Sequence, residues 1–277
     1  MMALHGRLVR LGLLVVLTCW VGTPVGHAAE PGSVTKPKLK GLLVTGGCCH
    51  DYTRQKQILT EGISQRVSIA WDIVHEGDGN ERTHRVSVYK KPNWAVGYDV
   101  IVHNECFGAV DDPVFVESIV KGHTGTGVPA VVLHCSMHSY RAAPTDEWRK
   151  LLGVTSRRHE KGGRNLDVKP VATGHPILHR FPAVWKTPGD ELYVIEKQWP
   201  NCTPLAHAFG MDTNAEHTVI WTNEYEKVRV FGTTLGHNNE TMLSEVFLDV
   251  VSRGLLWTLG KLESNGEPSA GFEGIGG

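Results

Sequence analysis

Apolar residues along this chain fall into two kinds of run. Lys40 to Gly46, Ile69 to Val74, Tyr98 to His103 and Ala130 to Leu133 are short, continuous apolar stretches. That is the pattern of strands covered on both faces, not of strands open to water on one. Between them, Thr53 to Val67 sets Ile58, Leu59, Ile63 and Val67 at helical spacing, and Asp112 to Val120 repeats it, with Asp111 or Asp112 as N-cap before Pro113. The succession strand, helix, strand, strand, helix, strand predicts an α/β fold with a mostly parallel sheet wound with helices. From Val168 onward the runs are shorter: Leu192 to Glu196, Leu205 to Met211, Thr218 to Thr222 and Lys227 to Thr234, with Asn223 to Glu226 as a hairpin loop. These predict added strands in the C-terminal half. A last helix from about Met242 to Leu259 carries the stripe Leu243, Val246, Phe247, Val250, Val251, Leu255 and Leu256, and Gly260 caps it. Residues 40–262 therefore form one expected domain, and 263–277, Gly-rich and poor in apolar residues, reads as a disordered tail.

Charge narrows the partners. Lys+Arg number 28 against 29 Asp+Glu, a net charge of -1, and without a long basic run there is no electrostatic footprint for nucleic acid or an anionic membrane. The first 28 residues differ from the rest: Arg7 and Arg10, an apolar run from Leu11 to Gly22, then Gly26-His27-Ala28. This reads as a secretory signal peptide cleaved near Ala28, and residues 29–39 as a flexible arm. The apolar run falls short of the roughly 20 residues that span a bilayer, so no transmembrane anchor is expected. The protein is expected in the periplasm or secreted. Of six cysteines, Cys48, Cys49, Cys106, Cys135 and Cys202 follow the leader. An odd number cannot all pair, and adjacent Cys48 and Cys49 are poor partners for each other, so most are expected as buried free thiols.

Ligands of a parallel α/β sheet collect at the carboxyl ends of its strands. Four such ends carry imidazole: His50 after the first strand, His103 in the third, His134 and His138 after the fourth, and His237 after the last. His134 and His138 stand i, i+4; on a helix they could share a metal, and in a loop either could be a structural imidazole bonded to backbone. His50 follows a Gly-Gly turn, and His237 precedes Glu240 by three, so a turn residue and a helix N-terminus remain the structural alternatives. Cys135 and Ser136 sit where a nucleophile elbow would place its attacking atom, but Leu133, Met137, His134 and His138 are too large for the flanking positions. The acid–base candidates are His50, His134, His138 and His237 with Glu105 or Glu191, and the substrate-contact candidates are Asn104, Tyr140 and Arg141. An imidazole titrates near neutrality, which suits either proton role. If a divalent metal such as zinc is bound, His50, His134 and His237 are its expected ligands.

The stretch Val131 to Arg141 with its His-Cys-Ser-Met-His core, His175-Pro176-Ile177, Asp190 to Tyr193, Val219 to Thr222, Lys227 to His237 and the close Arg253 to Gly260 resemble the ThuA-like (trehalose utilisation) family. The resemblance runs from about Lys40 to Leu262. It implies a flavodoxin-like sheet of the class I glutamine amidotransferase kind and an association with disaccharide and keto-sugar metabolism. Glutamine hydrolysis is not implied, because no Gly flanks Cys135 and Ser139 stands where the amidotransferase motif has glutamine. Two functions follow as expectations: an exported enzyme acting on a sugar or keto-sugar by His/carboxylate acid–base chemistry, or a non-catalytic carbohydrate-binding module. Either takes a small-molecule carbohydrate. Histidines and a carboxylate converging on one pocket would favour the first, and exposed aromatics the second.

Overall fold

Leu39–Gly47 (β1) buries Leu43 toward one side of the sheet and Leu42 and Val44 toward the other, which is why the strand reads as a continuous apolar run. The computed structural model describes residues 1–3 and 37–276, so most of the expected leader and most of the arm lie outside the described residues. After β1, Tyr52–Ser64 (α1) starts where the Asp51 carboxylate accepts the Arg54 amide, and Ile69–His75 (β2) returns parallel to β1. Val100–Cys106 (β3) then pairs with the opposite edge of β1. Pro113–Thr126 (α2) is capped by Asp112, which accepts from the amides of Val114 and Phe115, and it leads to Ala130–Leu133 (β4). Glu147–Leu152 (α3), Val154–His159 (β5), Asp167–Pro170 (β6), Trp185–Lys186 (β7) and Tyr193–Gln198 (β8) follow. The chain closes with Thr203–Gly210 (β9), Ala215–Tyr225 (β10), Val228–Thr233 (β11), Asn239–Leu243 (α4) and Glu245–Thr258 (α5).

The main sheet has the order β2-β1-β3-β4-β11-β10-β9-β6-β7. Its first five strands are parallel, and β10, β9, β6 and β7 extend it antiparallel. β5 and β8 pair separately. The chain leaves β1 for β2 on one side and returns to β3 on the other, so a topological switch point lies between β1 and β3, where open α/β sheets bind ligands. The fold is thus a mixed α/β one, mostly parallel with added antiparallel strands.

Several expectations are corrected in detail. β3 runs on to Cys106, because its register with β1 continues to Gly47 opposite Cys106, so His103, Asn104 and Glu105 are strand residues and not a strand end. β10 likewise reaches Tyr225, and the tight turn sits at Glu226, whose φ is 54°. The last helix is two: Ser244 is extended, and its hydroxyl accepts the Phe247 amide, which ends α4 and caps α5. The tail expected to be disordered is paired. Ser68 donates its amide to the Phe272 carbonyl, Ile275 donates to Ser64, and Phe272 packs on the core. The free-thiol expectation also fails, since Cys48 pairs with Cys49 and Cys106 with Cys135, leaving Cys202 as the free cysteine among the described residues. Cys49 stands at φ 87° in the turn after Gly46 and Gly47, a backbone turn that sequence spacing does not reveal.

The core also makes stability depend on pH. His123, in the last turn of α2, is fully buried, with Nδ1 2.7 Å from the Val128 carbonyl and Nε2 3.0 Å from His103 Nε2. Burial first, then the His103 charge, pushes its pKa down to about 3. An unfolded histidine titrates near 6.5, so the contribution of this group is complete above about pH 6.5 and is lost as pH falls from there toward 3. At about pH 5 the loss from this one group is on the order of 2 kcal/mol. Urea unfolding at about pH 8 and about pH 5, run on the protein and on His123→Gln, separates this group from the others that titrate in that window: the fall in stability should be smaller in the variant by on the order of 2 kcal/mol, and an equal fall in both would mean that His123 is not held neutral.

Candidate functional site

Positive-φ turns aim three imidazoles at the carboxyl edge of the parallel strands. After β1, Gly46 and Gly47 take φ values of 125° and 102°, and the turn brings His50 over the edge, where its Nδ1 lies 3.1 Å from the His237 carbonyl. β4 stops at Leu133 and tightens into a 3₁₀ turn, His134–Met137, with His134 itself at φ 40°. The strained tip of the strand-to-turn elbow is therefore His134, not Cys135 or Ser136. Its Nδ1 is 2.7 Å from the Thr234 carbonyl, which leaves Nε2 facing the Tyr193 hydroxyl at 3.3 Å. After β11, the buried Asp190 carboxylate accepts from the amides of Gly236 at 3.0 Å, His237 at 3.2 Å and Glu191 at 2.9 Å. One carboxylate thus positions both the His237 turn and the Glu191 backbone, and burial raises its own pKa to about 6 against those three N–H groups.

The rings of His50, His134 and His237 lie 4.7, 5.0 and 5.4 Å apart centre to centre, and one ring nitrogen from each falls within 4.8 Å of the others. Glu191 sits among them. Its Oε2 is 3.3 Å from His237 Nδ1 and 3.7 Å from His134 Nε2, and its Oε1 is 3.7 Å from His159 Nδ1. Burial works against ionising Glu191, yet the adjacent His237, with the charges of His159 and His50, holds its pKa below the ordinary value. The same contact with Glu191 raises the pKa of His237. His50 is pushed down to about 4 by burial and then by the His237 charge, and His134 well below 6.5 by burial and then by His50. At neutral pH the site therefore combines an ionised carboxylate, two neutral imidazoles and one imidazole that protonates readily.

His50, His159, Glu191 and His237 line a cavity of about 280 Å³ together with Arg82, His138, Arg141, Tyr193 and the four bridged cysteines, while His134, 1% exposed, lies behind them and outside the lining. His138 stacks on Tyr193 at 4.0 Å with Nε2 3.1 Å from the Ser156 hydroxyl, and burial lowers its pKa to about 3. Arg141 reaches the cavity while donating to the Arg157 carbonyl. Three sequence candidates lie elsewhere. Glu105 is fully buried in β3 and accepts from Tyr89 at 2.9 Å, beside His103 at 3.0 Å. Tyr140, expected to contact substrate, is 2% exposed and points its hydroxyl at Glu105. Asn104 is buried on the other side of β3, donating to Thr45 and Gln55. Sequence reasoning missed Asp190 as a positioning group, His159 and Tyr193. Asp190 and Tyr193 belong to the Asp-Glu-Leu-Tyr segment, whereas His159, at the end of β5, carried no local signal.

A divalent cation fits this donor set. Among the described residues Nδ1 of His237 is buried and makes no well-directed hydrogen bond, although Glu191 Oε2 stands 3.3 Å away, and two neutral imidazoles stand beside it, which is the make-up of an oriented three-imidazole site.

Comparison with known proteins places this architecture. A ThuA-like protein from Parabacteroides merdae ATCC 43184 superposes with a TM-score of 0.60 at 17% identity, over 85% of this chain and 96% of that one. Another from Bacteroides uniformis ATCC 8492 gives 0.62 at 14% identity, over 89% and 99%. A β-galactosidase from Rahnella sp. R3 gives 0.52 at 13% identity, over 78% of this chain and 31% of that one, so this fold matches one part of a larger enzyme. At these identities the likeness is one of fold. A comparison with curated proteins returns no match. The family model for ThuA, trehalose utilisation, matches residues 61–258, the span that carries the Glu191 carboxylate, the His134 and His237 turns and every strand of the sheet beneath them except β1, and on that match the chain belongs to the ThuA family.

Proposed function

We propose that the protein is an enzyme acting, outside the cytosol, on a sugar or keto-sugar by His/carboxylate acid–base chemistry. The observation that carries this reading is the Glu191 carboxylate set against His159 and His237 in one pocket, with the buried His134 3.7 Å behind it. Glu191, held ionised, accepts a proton from the substrate, and His159, 3.7 Å from its Oε1 and outside the cation's ligand set, returns one. Arg82 and Arg141 offer donors to sugar oxygens at the cavity wall. A volume of about 280 Å³ lies just below the ~300–1,000 Å³ range of small-molecule sites and suits one sugar ring at a time. His50, His134 and His237 would hold a divalent cation, which when bound supplies Lewis acidity toward a sugar oxygen. The binding-module alternative is disfavoured because Tyr193 is the one aromatic residue besides histidine in the pocket lining, and His138 covers its ring.

The test is to purify the chain without a His tag, measure its metal content, and incubate it with disaccharides and their keto derivatives, following products by mass. Turnover of at least one of these sugars is expected, together with one tightly held divalent ion that a chelator removes along with the activity. Binding of sugars with no product formed would sink the catalytic reading.

A further inference from the structure

A second chemical feature shares this pocket and plays no part in the acid–base reading. Cys48, Cys49, Cys106 and Cys135 all line its wall, as two bridges, Cys48–Cys49 and Cys106–Cys135. The bridges touch: Cys48 Sγ lies 3.7 Å from Cys106 Sγ. Backbone holds them there, with the Cys48 amide donating to the Cys106 carbonyl at 3.2 Å and the Cys49 amide to Gly79 at 3.3 Å. Three of the four are buried, at 3%, 4% and 6% exposure for Cys48, Cys106 and Cys135, whereas Cys49 is open to solvent. The Arg82 guanidinium stands 3.8 Å from Cys49 Sγ, a counter-charge for sulfur chemistry at the exposed end.

We propose that the two bridges form a thiol–disulfide exchange site for a low-molecular-weight thiol entering the pocket. A thiolate attacks the exposed Cys49 sulfur; the Cys48–Cys49 bond breaks, a mixed disulfide forms on Cys49, and Cys48 leaves as the thiolate. Cys48, already in contact with Cys106, attacks it. The Cys48–Cys106 bond forms, the Cys106–Cys135 bond breaks, and Cys135 leaves as a thiolate that takes a proton from water. A second external thiol then displaces Cys49. In total two thiols become one external disulfide, two protein bridges become one, and Cys49 and Cys135 end as thiols carrying the two protons released by the reductant. Cys49 adjoins His50 and Cys135 adjoins His134, so the exchange acts on the two turns that carry those imidazoles.

The full chain is incubated with reduced glutathione, quenched with iodoacetamide, digested without reduction and mapped by mass. The expected product joins Cys48 to Cys106, with Cys49 and Cys135 alkylated together. Opening of Cys48–Cys49 with Cys106–Cys135 left intact, opening of both without a Cys48–Cys106 product, or no reaction at all would each overturn the proposal. The variant Cys49→Ser gives a separate reading, since it frees Cys48 with no external thiol. In that variant Cys48–Cys106 should form spontaneously and Cys135 should alkylate without glutathione; a Cys106–Cys135 bridge that survives there also overturns it.

Discussion

Glu191→Gln is expected to lower turnover by about 10²- to 10⁴-fold, the range that a positioned proton-transfer group contributes. Glutamine keeps the size and planar shape but carries neither the charge nor the proton. What it removes is the acceptor that faces His237 at 3.3 Å and His134 and His159 at 3.7 Å. The backbone at this position is held by Asp190, not by the Glu191 side chain, so the fold does not depend on the carboxylate. The unfolding temperature should therefore stay close to that of the unsubstituted protein while kcat collapses. Glu105→Gln supplies the contrast. That carboxylate is buried against Tyr89, His103 and Tyr140, with one oxygen lacking a partner among the described residues, so its replacement should act on stability and leave the rate per folded molecule near normal. Equal rates for Glu191→Gln and the unsubstituted protein would remove Glu191 from the chemistry.

The parallel half of the sheet was legible because β1, β3 and β4 are apolar on both faces, and their runs are too short and too sharply bounded for a buried helix. The α2 start was legible from Asp112-Pro113, where the cap and the ring act locally. β5 and β8 form a separate two-stranded ladder, and β5 is exposed along its outer half at Arg157, Arg158 and His159, so it lacks the apolar signal of a buried strand. α3 has six residues, too few for a periodic stripe.

The site divides in the same way. His50, His134 and His237 could be found because each follows a strand whose end is marked by a break in the apolar run. Glu105 was misplaced for the same reason in reverse. The run ends at His103, but pairing with β1 carries β3 three residues farther and turns Glu105 into the core. The Asp190 role has no signature in sequence, since the amides it accepts at 236 and 237 are distant along the chain and meet only in the fold.

Gly47→Ala is expected to cost about 2–5 kcal/mol of stability, from an unfavourable φ and from forced overpacking together. Gly47 stands at φ 102°, a conformation L side chains rarely adopt. A methyl group there would press on the backbone carbonyl of Cys106, with the carbonyl carbon at 2.8 Å. That carbonyl cannot simply give way, because it also accepts the Cys48 amide and belongs to β3 where the strand pairs with β1. For a domain of this size the unfolding midpoint should fall by about 2–4 °C per kcal/mol. Gly79→Ala is the matched control: its φ is also positive, at 66°, but an added methyl meets open space, so the cost should be about 1–2 kcal/mol. The site should suffer more than the fold, since the turn that Gly47 shapes carries the sulfur bridge and then His50. A Gly47→Ala protein rescued by low temperature should therefore bind the divalent cation more weakly than Gly79→Ala does, and equal binding by the two would mean that His50 is not held through this turn.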